Sequence, residues 1–163
     1  MGVSGSGKKT ASSTKATPSG SRSSAGYSGT SLAKKLGVKD GQRTWRANMP
    51  ASVAKEIAAS GVQPVLAVNP EAGLEMAHVF VTRRAELIEH LRRLRAALAQ
   101  DGTIWVSWPK KSAGVPTDVT EDVVRELCLP LGLVDIKVCA VDAVWSGLKL
   151  VIRRTERTGT RNS

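Results

Sequence analysis

The chain has 163 residues and a formal net charge of +10, a length that supports one domain with ragged ends and a buried core. Residues 1–30 carry Lys8, Lys9, Lys15 and Arg22 with no acid, and residues 153–163 carry four Arg against Glu156, so +4 and +3 of the excess sit at the ends and +3 in the middle. A charge so placed argues against a basic patch built on the fold. With two Cys, two His and no long apolar run, the sequence also argues against a disulfide scaffold, a Cys/His metal site and a membrane-spanning helix.

Residues 1–26 are rich in Ser, Gly, Thr and Lys and offer almost nothing to bury, so they are expected to be a disordered basic tail. The run Gly2-Val3-Ser4-Gly5-Ser6-Gly7-Lys8 nearly spells a phosphate-binding P-loop. Lys9 stands where Ser or Thr should hold magnesium, and no strand precedes it, so the match is rejected. No apolar signal segment is read at the start, and Cys128 and Cys139 read as buried thiols of a reducing compartment; a cytoplasmic protein is expected.

Tyr27–Val38 reads as a short helix, capped by Thr30 or Ser31 and closed by a left-handed Gly37, with Leu32 and Leu36 facing the core. Asp40-Gly41 marks a turn. Arg43–Ala47 reads as a first strand, Asn48-Met49-Pro50 as a turn, and Ala51–Ser60 as a helix burying Val53, Ile57 and Ala58. Val65–Val68 is a short second strand between Pro64 and Pro70. His78–Val81 is a third, apolar on both faces, as a covered parallel sheet requires.

Thr82 is expected to cap a helix from Arg83 to about Ala99, with Leu87, Leu91, Leu94 and Leu98 on one stripe and Asp101-Gly102 ending it. The stretch Gly102–Arg154 organises the rest. It reads as a central strand Thr103–Trp108, a basic loop, a helix with the capping-box pair Asp118 and Glu121 that stops at Pro130, and strands Val134–Val141 and Leu148–Arg153. The six residues Asp142–Gly147 between those strands are too few for a parallel crossover, which takes about a dozen, so the pair must be an antiparallel hairpin. Strand–helix alternation ending in a hairpin gives an α/β fold, a Rossmann-like three-layer sandwich. Its sheet of about six strands is mostly parallel and closed by a C-terminal antiparallel hairpin. The domain is placed at 27–154, with a second disordered basic tail at 155–163.

The hairpin order resembles the sheet closure of class I methyltransferases. At YSGTSLAKKLGV, FVTRRAEL, TIWVSWPKKSAGVPTDVTEDVVRE and LVDIKVCAVDAVWSGLKLVIRR, the chain resembles an uncharacterised bacterial family, domain of unknown function 3052. That resemblance spans Tyr27 to Arg154 and is strongest after Val79. It implies a Rossmann-like sheet in a bacterial cytosolic protein and carries no activity to transfer.

In open α/β sheets, ligands bind outside the carboxyl ends of the parallel strands. Those ends here offer Asn48, then Thr82, Arg83 and Arg84, then Trp108, Lys110 and Lys111, then Asp142, Trp145 and Ser146. A free helix N-terminus at Thr82 and the nearby cations would suit an anion, and either Trp could stack on a base. The expectation is therefore a non-catalytic or weakly catalytic domain binding an anionic small molecule or a partner at this edge, with no cofactor, no metal and no membrane contact. A divergent methyltransferase-like enzyme is the alternative. Against it stand the glycine-free turn Ala47–Pro50 and the weak acid, Glu71, after the second strand. A nucleic-acid-associated accessory protein, binding weakly and salt-dependently through its basic tails, is a third reading. Neither His78 nor His90 sits in a nucleophile motif, so a hydrolytic triad is not expected.

Overall fold

The computed structural model describes residues 30–157. The expected tail at 1–26 with its P-loop-like run, Tyr27–Gly29 of the expected first helix, and 158–163 lie outside the described residues. The chain divides into Met1–Ser31 and Leu32–Ser163, and the helices and strands of the described residues belong to the second unit. In chain order they are α1 (Leu32–Leu36), β1 (Arg43–Ala47), α2 (Ala51–Ala58), β2 (Val65–Leu66), β3 (Leu74–Phe80), α3 (Arg84–Ala97), β4 (Leu98–Pro109), α4 (Glu121–Cys128), β5 (Leu133–Ala140) and β6 (Trp145–Ile152), with 3-10 turns at Lys111–Ala113, Leu129–Leu131 and Arg154–Glu156.

One six-stranded sheet runs in the order β2-β1-β3-β4-β6-β5. β2, β1, β3 and β4 are parallel; β6 is antiparallel to both β4 and β5. The fold class is thus the Rossmann-like sandwich read from the sequence, closed by its hairpin. The chain leaves β1 on one side to form β2 and returns on the other to form β3. That reversal makes the carboxyl ends of β1 and β3 the topological switch point.

Two apolar layers cover the sheet. On one face Leu87, Leu91 and Leu94 of α3 and Val124, Leu127 and Cys128 of α4 pack over Ala77, Val79, Ile104, Val106, Leu148 and Leu150. Leucines at positions 87, 91 and 94 recur at helical spacing, and burying each contributes about 2 kcal/mol. On the other face Leu32, Leu36, Val53 and Ile57 of α1 and α2 cover Met76, Phe80 and Trp105. Trp105 is fully buried, and its Nε1–H donates to the Leu36 carbonyl at 2.8 Å, which fixes α1 to the central strand. Gly37 takes φ 78° and ends α1 with paired bonds, Val38 N–H to Ala33 O at 2.9 Å and Gly37 N–H to Lys34 O at 3.1 Å.

Several boundaries differ from the sequence reading. β3 begins at Leu74, and α3 stops at Ala97 because Leu98–Gly102 already belongs to β4. Asp101-Gly102 reads locally as a turn, but a Cβ on Gly102 would come within 2.8 Å of Leu98, so glycine here lets the strand pass close to itself. The hairpin strands begin earlier than read, at Leu133 and Trp145, leaving the turn at 141–144. Ala58 is exposed rather than part of the buried face of α2. The 3-10 turn Arg154–Glu156 carries regular structure past the expected boundary at Arg154.

Candidate functional site at the carboxyl edge of the sheet

Parallel strands bring their carboxyl ends to one edge, and the register shows which residues meet there. Pro109 lies opposite Trp145 and Trp108 opposite Ser146, so the hairpin turn joins the end of β4. The Lys110 N–H donates to the Val144 carbonyl at 2.8 Å and ties the two together. Asn48, Thr82, Arg83, Arg84, Trp108, Lys110, Lys111, Asp142, Trp145 and Ser146 all come from segments that end or begin at this edge. Many of them already have structural tasks.

Asn48 sits at the tip of β1 with φ 59°, the only non-glycine with positive φ among the described residues. Asn tolerates this left-handed state better than most residues. The backbone therefore adopts, without glycine, the sharp turn a glycine would allow. The side chain crosses the switch point: Nδ2 donates to the Phe80 carbonyl at 3.4 Å and to Glu86 Oε2 at 3.1 Å.

The start of α3 corrects two expectations. Its N-cap position is Arg83, not Thr82, and no side chain of either residue caps it. The cap comes instead from Asp118, whose Oδ1 accepts from the Arg84 N–H at 2.6 Å. The Thr82 carbonyl accepts from the Thr117 hydroxyl at 2.7 Å and the Asp118 N–H at 3.2 Å, locking the Gly114–Asp118 loop onto this end. A carboxylate at a helix N-terminus is favoured by the exposed amides and the dipole, so the position expected to hold a bound anion is filled by the chain's own acid. α4 in turn is capped by Thr120, whose hydroxyl accepts from the Val123 N–H at 3.2 Å, not by Asp118. Arg84 turns away to pair with Glu126 at 2.7 Å.

Beyond the α3 start, a cleft of about 630 Å³ opens between Trp108, Lys110, Lys111, Val115, Pro116, Thr120, Glu121 and Ser146. A shallower hollow of about 410 Å³ lined by Thr82, Arg83, Val115, Pro116, Thr117 and Asp118 adjoins it through the shared loop. Trp108 belongs to the α3/α4 face, whereas Trp145 packs on the other face, edge-on to Phe80 at 5.0 Å. The two indoles therefore cannot sandwich one ring. Asp142 is spent on the hairpin turn, its Oδ1 accepting from the Val144 and Trp145 N–H groups, each at 2.8 Å. The loop Gly114–Thr117 and Glu86, which shape this edge, were not singled out from sequence. Gly114, with φ 69°, followed by Val115-Pro116 was the available signal.

One polar pair was missed altogether. His78 Nε2 and Ser107 Oγ lie 2.8 Å apart, both buried in the sheet, with Phe80 stacked on the imidazole at 4.4 Å. Burial first, then the nearby Arg46 guanidinium, push the His78 pKa down to about 3. The ring is neutral near pH 7, and among the described residues its hydrogen-bond partner is Ser107 rather than a carboxylate, so the pair reads as holding the sheet. His90 is half-buried, 5.7 Å from Trp45, and burial lowers its pKa. Burial, with Asp135 second, raises the Cys128 thiol to about 11. Among the described residues no cluster of three or more His, Cys, Asp or Glu could hold a metal, and no helix is long and apolar enough to cross a membrane.

No protein-family model and no curated protein sequence matches the chain. Solved structures do. The O-methyltransferase NcsB1 from neocarzinostatin biosynthesis, in complex with S-adenosylmethionine and 2-hydroxy-5-methyl naphthoic acid, is 16% identical at TM-score 0.53, over 77% of this chain and 53% of that one. A SAM-dependent methyltransferase from Aquifex aeolicus is 15% identical at TM-score 0.52, over 74% and 87%. A putative type 11 methyltransferase from Sulfolobus solfataricus is 12% identical at 0.52, over 77% and 91%. The chain spans 39% of the length of LepI and 53% of that of NcsB1.

These likenesses identify the fold as that of methyltransferases. They also correct the expected partners. NcsB1, the neighbour above whose ligands are named, holds S-adenosylmethionine and 2-hydroxy-5-methyl naphthoic acid, small molecules rather than nucleic acid. Asp118 on α3 and Glu126 on Arg84 remove two of the features on which the anion reading rested.

Proposed function

We propose that the chain is a divergent methyltransferase-like protein that takes a small molecule of the S-adenosylmethionine class at the β1/β3 switch point. The observation that supports this most is the left-handed Asn48 at the tip of β1, in a sheet whose strand order reverses at that point. The left-handed turn meets the objection that Ala47–Pro50 lacks glycine, because the backbone conformation is reached without one. The weak acid after β2 remains a departure, and the Asn48 side chain narrows the crevice by bonding to Glu86. The cleft under Trp108 would hold a second molecule beside the first. Methyl transfer from a sulfonium asks mainly for such alignment, so it does not depend on a His-centred acid–base pair, which the described residues at this edge do not form.

The test is calorimetry of S-adenosylmethionine on the full chain. A narrowed crevice predicts weak binding, with a dissociation constant of about 0.1–1 mM, and Asn48→Gly, which keeps the turn and clears the side chain, should tighten it by about tenfold. No heat at millimolar ligand with either protein refutes the proposal. The Asn48–Glu86 bond favours one second reading, a non-catalytic domain whose small-molecule site is the Trp108 cleft alone. In that case Asn48→Gly would change nothing. The four segments from YSGTSLAKKLGV to LVDIKVCAVDAVWSGLKLVIRR also support placing the chain in the family called domain of unknown function 3052.

A further inference from the structure

A cavity of about 510 Å³ opens at the amino edge of the sheet, at the end away from the carboxyl-edge site. The segments that start β1, β3 and β4 bring Gln42, Glu75, Asp101 and Thr103 to it, and Asp40 comes from the turn before β1. Lys149 of β6 lies on its wall. The register fixes the direction of that side chain. Lys149 stands opposite Trp105, which is buried in the layer under α1 and α2, so the lysine leaves the sheet on the same face. Its Nζ lies 4.0 Å from where a Cβ on Gly37 would stand, which puts the amine just past the end of α1.

A lysine withdrawn from water normally finds a carboxylate. Half-buried Lys149 does not: among the described residues no carboxylate lies within ion-pair distance of it. Asp40 and Glu75 share its cavity, but each turns an oxygen to the backbone. Asp40 Oδ1 accepts from the Gln63 N–H at 2.8 Å, and Glu75 Oε1 from the Arg43 N–H at 2.9 Å. The charges nearest Lys149 are cations. Lys137 faces it across the β5–β6 ladder, where like charges directly opposite are unfavourable, and Lys39 lines the same cavity. Burial first, then Lys137 and Lys39, lower the Lys149 pKa from its ordinary value. An amine so placed holds more of the neutral, nucleophilic form near pH 7 than a solvated lysine does.

We propose that Lys149 is a nucleophilic amine that takes a small hydroxylated aldehyde or ketone in the amino-edge cavity as a reversible imine. The nitrogen lone pair forms the C–N bond, and the carbonyl oxygen leaves as water with the two protons that the neutral amine carried. No oxidant or reductant is consumed. The lining selects the class of compound. The carboxylates of Asp40, Glu75 and Asp101 stand against the ammonium groups of Lys39 and Lys149, so the wall favours a neutral carbonyl compound over an anionic one. Thr103 and the same acids supply hydrogen-bonding partners for its hydroxyls. The inference is independent of what binds at the carboxyl edge.

The test treats the full chain near pH 7 with glycolaldehyde and sodium cyanoborohydride, which reduces an imine to a stable secondary amine. Peptide mapping by mass spectrometry then reads each lysine. Lys149 should react about tenfold faster than the exposed Lys55 and Lys111, and its rate should saturate at millimolar glycolaldehyde. Lys137 is exposed and lies outside the cavity lining, so Lys137→Gln should slow the reaction at Lys149 by about twofold or more and leave Lys55 unchanged. In the urea-unfolded chain Lys149, Lys55 and Lys111 should react alike. Equal rates in the folded chain overturn the inference, as does an advantage of Lys149 that survives unfolding. A Lys149 rate that stays proportional to glycolaldehyde concentration, or that Lys137→Gln leaves unchanged, overturns it too.

Discussion

Replacing Asp118 by Ala separates the observed edge from the one expected from sequence. Its Oδ1 accepts from the Arg84 N–H at 2.6 Å and is the carboxylate at the start of a 14-residue helix. Loss of a capping acceptor costs about 1 kcal/mol, and loss of a negative charge beside the helix dipole about 0.5 kcal/mol more. For a domain of this size, about 1.5 kcal/mol corresponds to a fall in melting temperature of about 5 °C. Asp118→Asn keeps the oxygen acceptor and should lose only about a third of that. Thr82→Ala should lose less than about 0.5 kcal/mol, since its side chain caps nothing. Melting followed by circular dichroism, with urea titration to obtain free energies, reads all three. If Thr82→Ala proves the costly change and Asp118→Ala the neutral one, the long-range cap is refuted.

His78 should make stability fall with acid. Its folded pKa of about 3 lies below the ordinary 6.5, so the unfolded chain binds the extra proton, and stability complete above about pH 6.5 is lost as pH falls towards 3. The loss is about 1.4 kcal/mol per unit, roughly 2 kcal/mol by pH 5, and His78→Gln should flatten the urea-derived profile; parallel profiles would contradict it. Replacing Lys110 and Lys111 together by Ala should change stability by less than about 0.5 kcal/mol, because the Lys110 contact to Val144 uses the backbone. Native Cys128, buried and raised to about 11, should resist iodoacetamide at pH 8 until the protein unfolds; rapid native labelling of Cys128 would show the burial to be wrong.

Much of this fold was legible because its signals are local. The leucine spacing of α3 and the short link between the last two strands needed no knowledge of the rest of the chain. What was not legible depends on contacts across it. Asp118 reads as the cap of its own helix because Glu121 follows three residues on. Thr120 takes that role, and Asp118 reaches a helix 34 residues back in sequence. His78 and Ser107, 29 residues apart, meet only because β3 and β4 pair. The turn at Asn48 reads as lacking a glycine, when its φ of 59° supplies the same turn. The edge itself follows correctly from the strand ends. Its electrostatics do not, since the acids that occupy the start of α3 and the Arg84 side chain, Asp118 and Glu126, come from α4 and the loop before it.

The central claim, a small molecule of the S-adenosylmethionine class at the switch point of the sheet, is tested most directly by mapping amide shifts. Isotope-labelled full-length chain would be titrated with S-adenosylhomocysteine and followed by nuclear magnetic resonance. The account predicts that the largest shifts cluster at Ala47–Met49 and Val81–Arg83, where β1 and β3 end. Shifts confined to the cavity at the opposite edge, lined by Asp40, Gln42, Asp101 and Lys149, or no shifts at millimolar ligand, would contradict it.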